Sequence, residues 1–278
     1  MNIFQIDRLR VITDGVLNGA MNMAYDEALM SGLSEGNGAP TLRFYSWEKP
    51  TLSLGYFQEV ADVLPDKVNE LGAELVRRPT GGRAVLHWQE VTFCVVLNAN
   101  QRGLWEIFRS IHECIGSGLN ISGIPAKVLP ITSEDYVETD GGKRHNPACF
   151  ASPSRYELTL NGKKIAGSAQ KKYGDFMLIH GSIPIQPNFD KLFEMLAFET
   201  EDQRKDSLEK ALSKMTSLKD EMKTDYDEAE LTKALIRGFE EQWGCTVYSG
   251  NYSEEEEKKA KLLYEEKYSK TDWIYRKP

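Results

Sequence analysis

The spacing of apolar residues predicts a helix and several strands in the first part of the chain. Residues 21–33 place apolar side chains on one helical face, which predicts an amphipathic helix. The segments 41–47 and 51–57 are rich in aromatic and β-branched residues, and the Lys49-Pro50 turn separates them, so we expect two strands. Further elements follow on the same grounds: a short helix after Pro65 that ends near Gly72, and strands over residues 75–78, 84–87 and 91–97.

The pattern changes twice in the rest of the chain. Residues 104–119 carry an apolar stripe of helical period, and residues 120–147 are loop-like in composition. Residues 155–185 predict a three-stranded meander with turns at Asn161-Gly162 and near Gly174-Asp175. After Asn188 the sequence is densely charged and mostly helical in pattern. The run that starts at Ser253 is predicted to be a capped, solvated helix, because its glutamates precede its lysines along the helix dipole.

These elements predict an α+β fold: a large, mainly antiparallel or mixed sheet flanked by helices, followed by a helical C-terminal section. A chain of 278 residues can bury a sizeable core without disulfides. We expect a single domain over residues 1–278, with the core sheet and the site in about 20–187 and the helical section in 188–278.

Charge and hydropathy argue against two classes of partner. The net charge of −8 disfavours nucleic acid, because phosphate binding needs a basic surface. No apolar run approaches the roughly 20 residues that a membrane helix needs. The first residues lack the apolar stretch of a leader peptide, so we expect a cytoplasmic protein that binds neither nucleic acid nor membrane.

The cysteines are too scattered for a disulfide framework or a structural zinc site. Cys94, Cys114 and Cys245 lie in apolar elements and are expected to be small buried residues. Cys149 lies among small residues after a polar loop, where a nucleophile can meet a large substrate. Spacing alone leaves nucleophile and filler nearly balanced for Cys149, and we favour the nucleophile.

The segment from Arg77 to His87 is a candidate binding loop, with the sequence Arg-Arg-Pro-Thr-Gly-Gly-Arg-Ala-Val-Leu-His. Two adjacent glycines let the backbone approach a ligand closely, and flanking arginines can clamp an anionic or carbonyl group. An ordinary basic hairpin with a Gly-Gly turn is equally compatible with the pattern. The segment is neither a Walker loop nor a dinucleotide fingerprint.

The Asn161-Gly162 turn fixes the position of two neighbouring lysines. It pairs Leu160 with Lys163 and Thr159 with Lys164, which leaves Lys163 solvated at the hairpin tip. Lys164 would share its face with small side chains that leave a groove, namely those of Ala166 and Ser168, with Gln170 further along. A solvated surface charge and a cation that reaches into a cleft are about equally compatible with this register.

Five segments between about residues 21 and 185 resemble the lipoate-protein ligase and octanoyltransferase family, whose catalytic domain is shared with biotin protein ligases. They are Met23-Ala-Tyr-Asp-Glu-Ala28, Arg43-Phe-Tyr45, Gly55-Tyr-Phe-Gln58, Arg77-Arg-x-Thr-Gly-Gly82 with His87, and Lys164-Ile-Ala-Gly-Ser-Ala-Gln170. The resemblance implies a fold like that of class II aminoacyl-tRNA synthetases and biotin ligases. Trp88 departs from the family pattern, which usually has Asp directly after the histidine.

The context of Cys149 is similar to that of LipM-type octanoyltransferases, in which the matching cysteine carries the acyl group. This resemblance implies transfer of an octanoyl group from octanoyl-acyl carrier protein to a lysine of a lipoyl-domain protein, such as glycine cleavage H protein or a 2-oxoacid dehydrogenase E2, without a cofactor. It implies that Lys164 holds Cys149 as thiolate and donates to the acyl oxygen.

The same resemblance implies a set of substrate-binding residues: Arg77, Arg78, Gly81, Gly82, Arg83, His87, Gly167, Ser168 and Ala169. Within this set, Arg77 and Arg78 are expected to meet an acidic carrier or acceptor surface. The alternatives are an ATP-dependent lipoate-protein ligase, an amidotransferase that works between lipoyl domains, and a carrier-binding module with a dead site, which only Trp88 supports.

Overall fold

The computed structural model describes residues 6–99, 102–130 and 156–277. Its strands, in chain order, are β1 (Arg8–Leu17), β2 (Thr41–Trp47), β3 (Thr51–Leu54), β4 (Glu74–Arg77), β5 (Val85–His87), β6 (Glu90–Asn98), β7 (Lys127–Pro130), β8 (Tyr156–Leu160), β9 (Lys163–Lys164), β10 (Gly167–Tyr173), β11 (Phe176–Pro184) and β12 (Thr246–Ser249). Its helices are α1 (Gly19–Ser34), α2 (Pro65–Glu70), α3 (Leu104–Ile121), α4 (Phe189–Glu194), α5 (Glu201–Lys214), α6 (Leu218–Met222), α7 (Glu228–Trp243), α8 (Glu254–Leu263) and α9 (Thr271–Ile274).

A six-stranded mixed sheet forms the centre of the protein, in the order β10-β11-β6-β2-β1-β12. The pairs from β10 to β2 are antiparallel, whereas β1 is parallel to both β2 and β12. Strand β6 is almost continuously apolar and is buried on both faces, as expected for a central strand covered on each side.

Helices cover both faces of this sheet. On one face, α3 and α7 pack with residues such as Phe44, Phe93 and Phe239. These two helices approach closely at Gly238, where an added Cβ would lie 2.3 Å from the carbonyl oxygen of Cys114, so only glycine fits. On the other face, α1 packs through residues such as Met23 and Leu29.

Two smaller sheets complete the fold. The sheet β4-β3-β5 packs with α2, α4 and α5 into a separate apolar core around Leu52, Phe193 and Met215. The sheet β7-β8-β9 lies against α3, and its inward residues Leu158 and Leu160 join the main core. The small β4-β3-β5 sheet and the main sheet together border the cavity described below.

The predicted α+β class and the large mixed sheet with flanking helices are confirmed. The capped helix after Ser253 is also confirmed: the Ser253 side chain and Glu256 form a reciprocal capping box. This helix is less solvated than predicted, because the Glu256 carboxylate is buried and pairs with Arg10. In the segments that the structure describes, no helix combines the length and apolarity that crossing a bilayer requires.

The predicted three-stranded meander is wrong. Strands β8 and β9 pair as predicted, but they belong to the sheet with β7, whereas β10 and β11 belong to the main sheet. The break falls at Ile165 and Ala166, whose side chains are both buried, so the chain crosses from one sheet to the other through the core. The predicted loop over residues 120–147 is wrong at its start, where α3 runs to Ile121 and β7 follows; residues 131–147 lie outside the described residues.

Three other elements differ from expectation. Strand β1 was not predicted; its pairing with β2 has an irregular register between Thr13 and Val16. Strand β3 ends at Leu54, short of the predicted 57, and lies in a different sheet from β2. The C-terminal section is mostly helical, but it also supplies β12 to the edge of the main sheet.

Candidate active site

A cavity of about 370 Å³, including its open mouth, lies between the main sheet and the β4-β3-β5 sheet. Its walls combine apolar side chains with two histidines and several hydroxyl groups: Met23, Tyr45, Ser53, Arg78, Val85, His87, Thr92, Gly167, Ser168, Ala169, His180, Gly181 and Ser182.

The cavity brings together five of the residues that the sequence singled out: Arg78, His87, Gly167, Ser168 and Ala169. The register of the main sheet explains part of this grouping. Gly167 pairs with Ser182, and Ala169 pairs with His180, so these four residues share the face that lines the cavity. Cys149 lies outside the described residues.

His87 is held between a hydroxyl and a carboxylate. Its Nδ1 lies 2.6 Å from Oε1 of Glu90, and its Nε2 lies 2.8 Å from Oγ of Ser53. Because a carboxylate only accepts, Nδ1 of His87 carries a proton that it donates to Glu90. The indole of Trp47 stacks on the imidazole at a centroid distance of 4.3 Å, which fixes the plane of the ring.

His180 has the same arrangement on the main sheet. Its Nδ1 lies 2.8 Å from Oδ2 of Asp26 in α1, and its Nε2 lies 2.6 Å from Oγ1 of Thr80. Burial lowers the pKa of His180 although Asp26 opposes the shift, so the ring is neutral at pH 7. In that form Nδ1 donates to Asp26, and the Thr80 hydroxyl donates to Nε2.

Asp26 is a fully buried carboxylate at the centre of a polar network. It also accepts from Nη1 of Arg43 at 2.7 Å and from the Tyr45 hydroxyl at 3.0 Å. Burial alone would raise the pKa of Asp26, but the hydrogen bond from His180 and the charge of Arg43 outweigh it and lower the pKa. Asp26 is therefore ionised, and Arg43 balances its charge in the core.

Hydrogen bonds from Arg78 hold the glycine turn of the predicted binding loop. Its guanidinium donates to the carbonyl oxygens of Gly81, Arg83 and Ser53 at 2.7–3.1 Å, which folds residues 78–83 back on β3. Gly82 takes a φ of 91°, a conformation that favours glycine. Arg83 is half-exposed beside this turn.

The expected contact of Arg77 and Arg78 with an acidic protein surface is wrong. Both side chains are buried, with exposed fractions of 0% and 4%. Arg77 donates to the carbonyl oxygens of Gly55, Gln58 and Ile274, so it holds the backbone together where a partner protein cannot reach it.

The predicted hairpin register is confirmed: Thr159 pairs with Lys164, and Leu160 pairs with Lys163. The Lys164 side chain is buried, and its ammonium lies 3.2 Å from Oε1 of Glu157, so the alternative of a solvated surface charge is wrong. Lys163 is 41% exposed, as its position at the hairpin tip predicted.

The predicted groove face does not continue from Lys164 to Ser168, because the strand breaks between them. Ser168 instead directs its hydroxyl towards α3, where it lies 2.9 Å from Nε2 of His112. Burial and the nearby charge of Lys164 lower the pKa of His112 to about 3, so this imidazole is neutral. This neutral, buried histidine therefore contacts Ser168 of the cavity wall and lies near the charge of Lys164.

Sequence reasoning gave no role to His180, Thr80 or Asp26. A signal for Asp26 was present: it lies three residues after Met23 and four before Met30, on the apolar face of α1. A carboxylate on such a face must be paired, which points to a polar network in the core. Among the described residues, no group of three or more His, Cys, Asp and Glu side chains is placed to hold a metal ion.

Comparisons with known proteins agree with this architecture. The lipoyl protein ligase A/B catalytic domain matches residues 18–240. Octanoyltransferase LipM of Carboxydothermus hydrogenoformans is 36% identical over 274 residues, which is 96% of this chain and 98% of that protein. Octanoyltransferase LipM of Bacillus cereus is 35% identical over 275 residues, covering 96% of this chain and 97% of that protein.

Solved structures of lipoate-protein ligases have the same fold. The bipartite ligase of Thermoplasma acidophilum superimposes with a TM-score of 0.79 at 26% identity, covering 97% of this chain and 96% of that one. A lipoate-protein ligase A bound with ATP superimposes with a TM-score of 0.77 at 27% identity, covering 98% of this chain and 99% of that one.

Proposed function

Because the chain belongs to the lipoyl protein ligase A/B catalytic-domain family, we propose that it is an octanoyltransferase of lipoate synthesis. One observation carries this choice among the family's activities. Proteins named octanoyltransferase LipM match nearly the whole chain at 33–36% identity, whereas the two lipoate-protein ligases above match it at 26–27%. The mixed apolar and hydroxyl lining of the cavity supports a medium-chain acyl group as the ligand.

The proposed reaction has two steps and a covalent intermediate. The thiolate of Cys149 attacks the carbonyl carbon of an octanoyl thioester on acyl carrier protein, and the carrier thiolate leaves. The amine of a lysine on a lipoyl-domain protein then attacks the acyl-Cys149 thioester, loses a proton and releases the Cys149 thiolate. The first step exchanges one thioester for another, and amide formation drives the second.

Lys164 supplies positive charge to this chemistry. A buried ammonium stabilises a thiolate and can donate to the oxyanion of each tetrahedral intermediate. Support comes from its burial and from the carboxylate of Glu157, which holds its Nζ at 3.2 Å. The cavity residues Gly167, Ser168 and Ala169 follow Lys164 within five positions of the chain, and the proposal puts the acyl chain in that cavity.

The partners follow from the reaction. The acceptor is a lipoyl-domain protein, such as glycine cleavage H protein or a 2-oxoacid dehydrogenase E2, and the donor is octanoyl-acyl carrier protein. Because a carrier-bound thioester is already activated, the reaction needs no nucleotide. The family relative that binds ATP makes an ATP-dependent ligase the alternative that an experiment must separate.

Intact-mass analysis separates these two enzymes. The protein is incubated with octanoyl-acyl carrier protein in the absence of ATP, magnesium and acceptor. We expect one octanoyl adduct that hydroxylamine removes and that Cys149→Ala abolishes, whereas Cys114→Ala, a change at a buried core position, retains it. Modification of a lipoyl domain only with free octanoate and ATP, and no adduct on Cys149, would establish a ligase instead.

A further inference from the structure

The buried arginines differ in how their charge is balanced. Arg10 pairs with the carboxylate of Glu256 at 2.5 Å, and Arg43 pairs with Asp14 and Asp26, each at 2.7 Å. Arg77 is as buried as Arg43, but its hydrogen bonds, at 2.6–2.8 Å, all go to backbone carbonyl oxygens. Within the described residues it has no carboxylate partner, so its charge is solvated by dipoles alone.

A second guanidinium is held by residues that neighbour the partners of Arg77. Arg276, from the segment after α9, lies over the ring of Tyr56 at 3.9 Å and over the ring of Trp273 at 4.9 Å. The indole of Trp273 donates to the carbonyl oxygen of Arg77 at 2.9 Å, which holds this terminal segment in place. Burial, Arg276 and Arg78 together lower the pKa of Arg77 to about 10, as expected for cations that no anion separates.

Both guanidinium groups carry a nitrogen without an acceptor. Nη2 of Arg77 and Nη1 of Arg276 are each closed off from solvent, and neither has a hydrogen-bond partner in the described part of the chain. Unsatisfied buried donors on charged groups are rare, because each keeps its full desolvation cost. One anion can accept hydrogen bonds from both of these nitrogens and satisfy them together.

We propose that Arg77 and Arg276 form an oxyanion site that takes a phosphate group. A tetrahedral phosphate offers acceptor oxygens in several directions, so it can bind two guanidinium groups that belong to different segments. Arg77 is fixed by its carbonyl partners, whereas Arg276 is half-buried and lies next to the C-terminus. A phosphate can therefore approach from the side of the half-buried Arg276.

The site is coupled to the cavity through the backbone. The carbonyl oxygen of Gly55 accepts from Arg77, and the same glycine packs directly against Gly82 of the binding-loop turn. Arg78, the next residue, lines the cavity. The phosphate can thus be free in solution or part of the prosthetic arm of an acyl donor. Only the second source rests on the proposed acyl transfer; the site itself does not.

Calorimetric titration of the full chain with inorganic phosphate, at ionic strength held constant with chloride, tests the site. We expect saturable binding in the wild type, binding weakened roughly tenfold or more in Arg276→Gln, and partial recovery in Arg276→Lys. The matched control is Arg237→Gln, an exposed arginine on α7 that pairs with Glu241, which should bind as the wild type does. Absence of saturable binding, or equal affinity in Arg276→Gln, would overturn the proposal.

Steady-state kinetics distinguish free phosphate from the phosphate of the acyl donor. If the donor's phosphate occupies the site, inorganic phosphate raises the KM for the carrier-bound donor without changing kcat, and Arg276→Gln removes this competition. If the site serves free phosphate, calorimetric binding persists and the KM is unchanged. A chain that binds phosphate but transfers no acyl group would contradict the proposed function and leave the site standing.

Discussion

Oδ2 of Asp26 lies 2.8 Å from Nδ1 of His180, and this contact joins the first helix to the wall of the cavity. The bond sets the tautomer of His180, whose Nε2 then accepts from Thr80, the residue before the glycine turn. Arg43 stabilises the charge on Asp26 from the opposite side. The ion pair of Asp26 and Arg43 is thus linked, through His180, to the binding loop that contains Thr80.

Asp26→Asn should reduce both stability and acyl transfer. The amide cannot balance Arg43, so we expect a loss of about 3 kcal/mol in the free energy of unfolding. It can also present its NH2 to His180, which would reverse the tautomer and disorder Thr80, so kcat/KM should fall tenfold or more. Denaturant unfolding and steady-state transfer kinetics measure the two effects, and nitrogen NMR of the imidazole reports the tautomer.

Asp14→Asn is the matched control, because Asp14 accepts from the same guanidinium at the same distance but has no contact with His180. It should cost stability and leave the His180 tautomer and kcat/KM near wild-type values. If the two variants lowered kcat/KM equally, the effect of Asp26 would be general destabilisation rather than positioning of His180.

His112 should make the protein less stable as the pH falls. Its pKa is about 3 in the folded chain, against 6.5 when unperturbed, so between these values the unfolded chain takes up a proton that the folded chain excludes. Stability is therefore full above about pH 6.5 and declines towards pH 3, by up to about 1.4 kcal/mol for each pH unit.

Replacement by glutamine tests this titration, because His112→Gln can keep the bond to Ser168 without titrating. Urea unfolding of both proteins between pH 7.5 and pH 4.5 should show the wild type losing stability more steeply. Parallel profiles would mean that His112 is protonated in the folded chain.

Sequence pattern predicted local elements well, and it failed where tertiary contacts decide the outcome. The register of Lys164 followed from Asn161-Gly162 alone, because a two-residue turn leaves no freedom. The assignment of β9 and β10 to different sheets could not follow, since Ile165 and Ala166 are buried by residues distant in sequence.

The same distinction explains which residues of the candidate site could be predicted from the sequence and which could not. His87 and Arg78 lie in a segment rich in glycine and charge, which attracts notice in a sequence. His180 lies in an otherwise apolar strand and Asp26 in an apolar helix face, and only folding brings them 2.8 Å apart. Burial also reversed the interpretation of Arg77: adjacent arginines suggest a surface, but carbonyl groups surround this one.

Lys164→Ala should lower acyl transfer severely, because it removes the buried charge assigned to the thiolate and the oxyanion. Lys163→Ala is the neighbouring control, since its side chain is 41% exposed and its ammonium lies 3.5 Å from the nearest carboxylate oxygen of Glu221. Single-turnover kinetics with octanoyl-acyl carrier protein compare the two variants. Equal rates in both would remove Lys164 from the mechanism.

Alkylation of the folded protein should label Cys149 in preference to the other cysteines. Cys94, Cys114 and Cys245 are buried, and burial raises the pKa of each thiol, so their thiolate fractions at pH 7 are small. Brief treatment with iodoacetamide followed by peptide mass spectrometry locates the label. Lys164→Ala should slow labelling at Cys149, and preferential labelling of Cys114 would contradict the burial seen here.

Gly55→Ala should separate the geometry of the binding-loop turn from its chemistry, because it adds a single methyl group. A Cβ at Gly55 would lie 1.9 Å from the carbonyl oxygen of Gly82, so the turn must move away from β3. We expect a loss of about 1–3 kcal/mol in the free energy of unfolding, as for other overpacked positions, and a large fall in kcat/KM.

Gly81→Ala is the control for stability, since a Cβ there meets nothing within 4 Å and should change the unfolding free energy by less than about 0.5 kcal/mol. Urea unfolding and transfer kinetics measure both variants. A stable, fully active Gly55→Ala protein would show that the turn does not need its close contact with Gly55, and the coupling between Arg77 and the cavity would lose its structural basis.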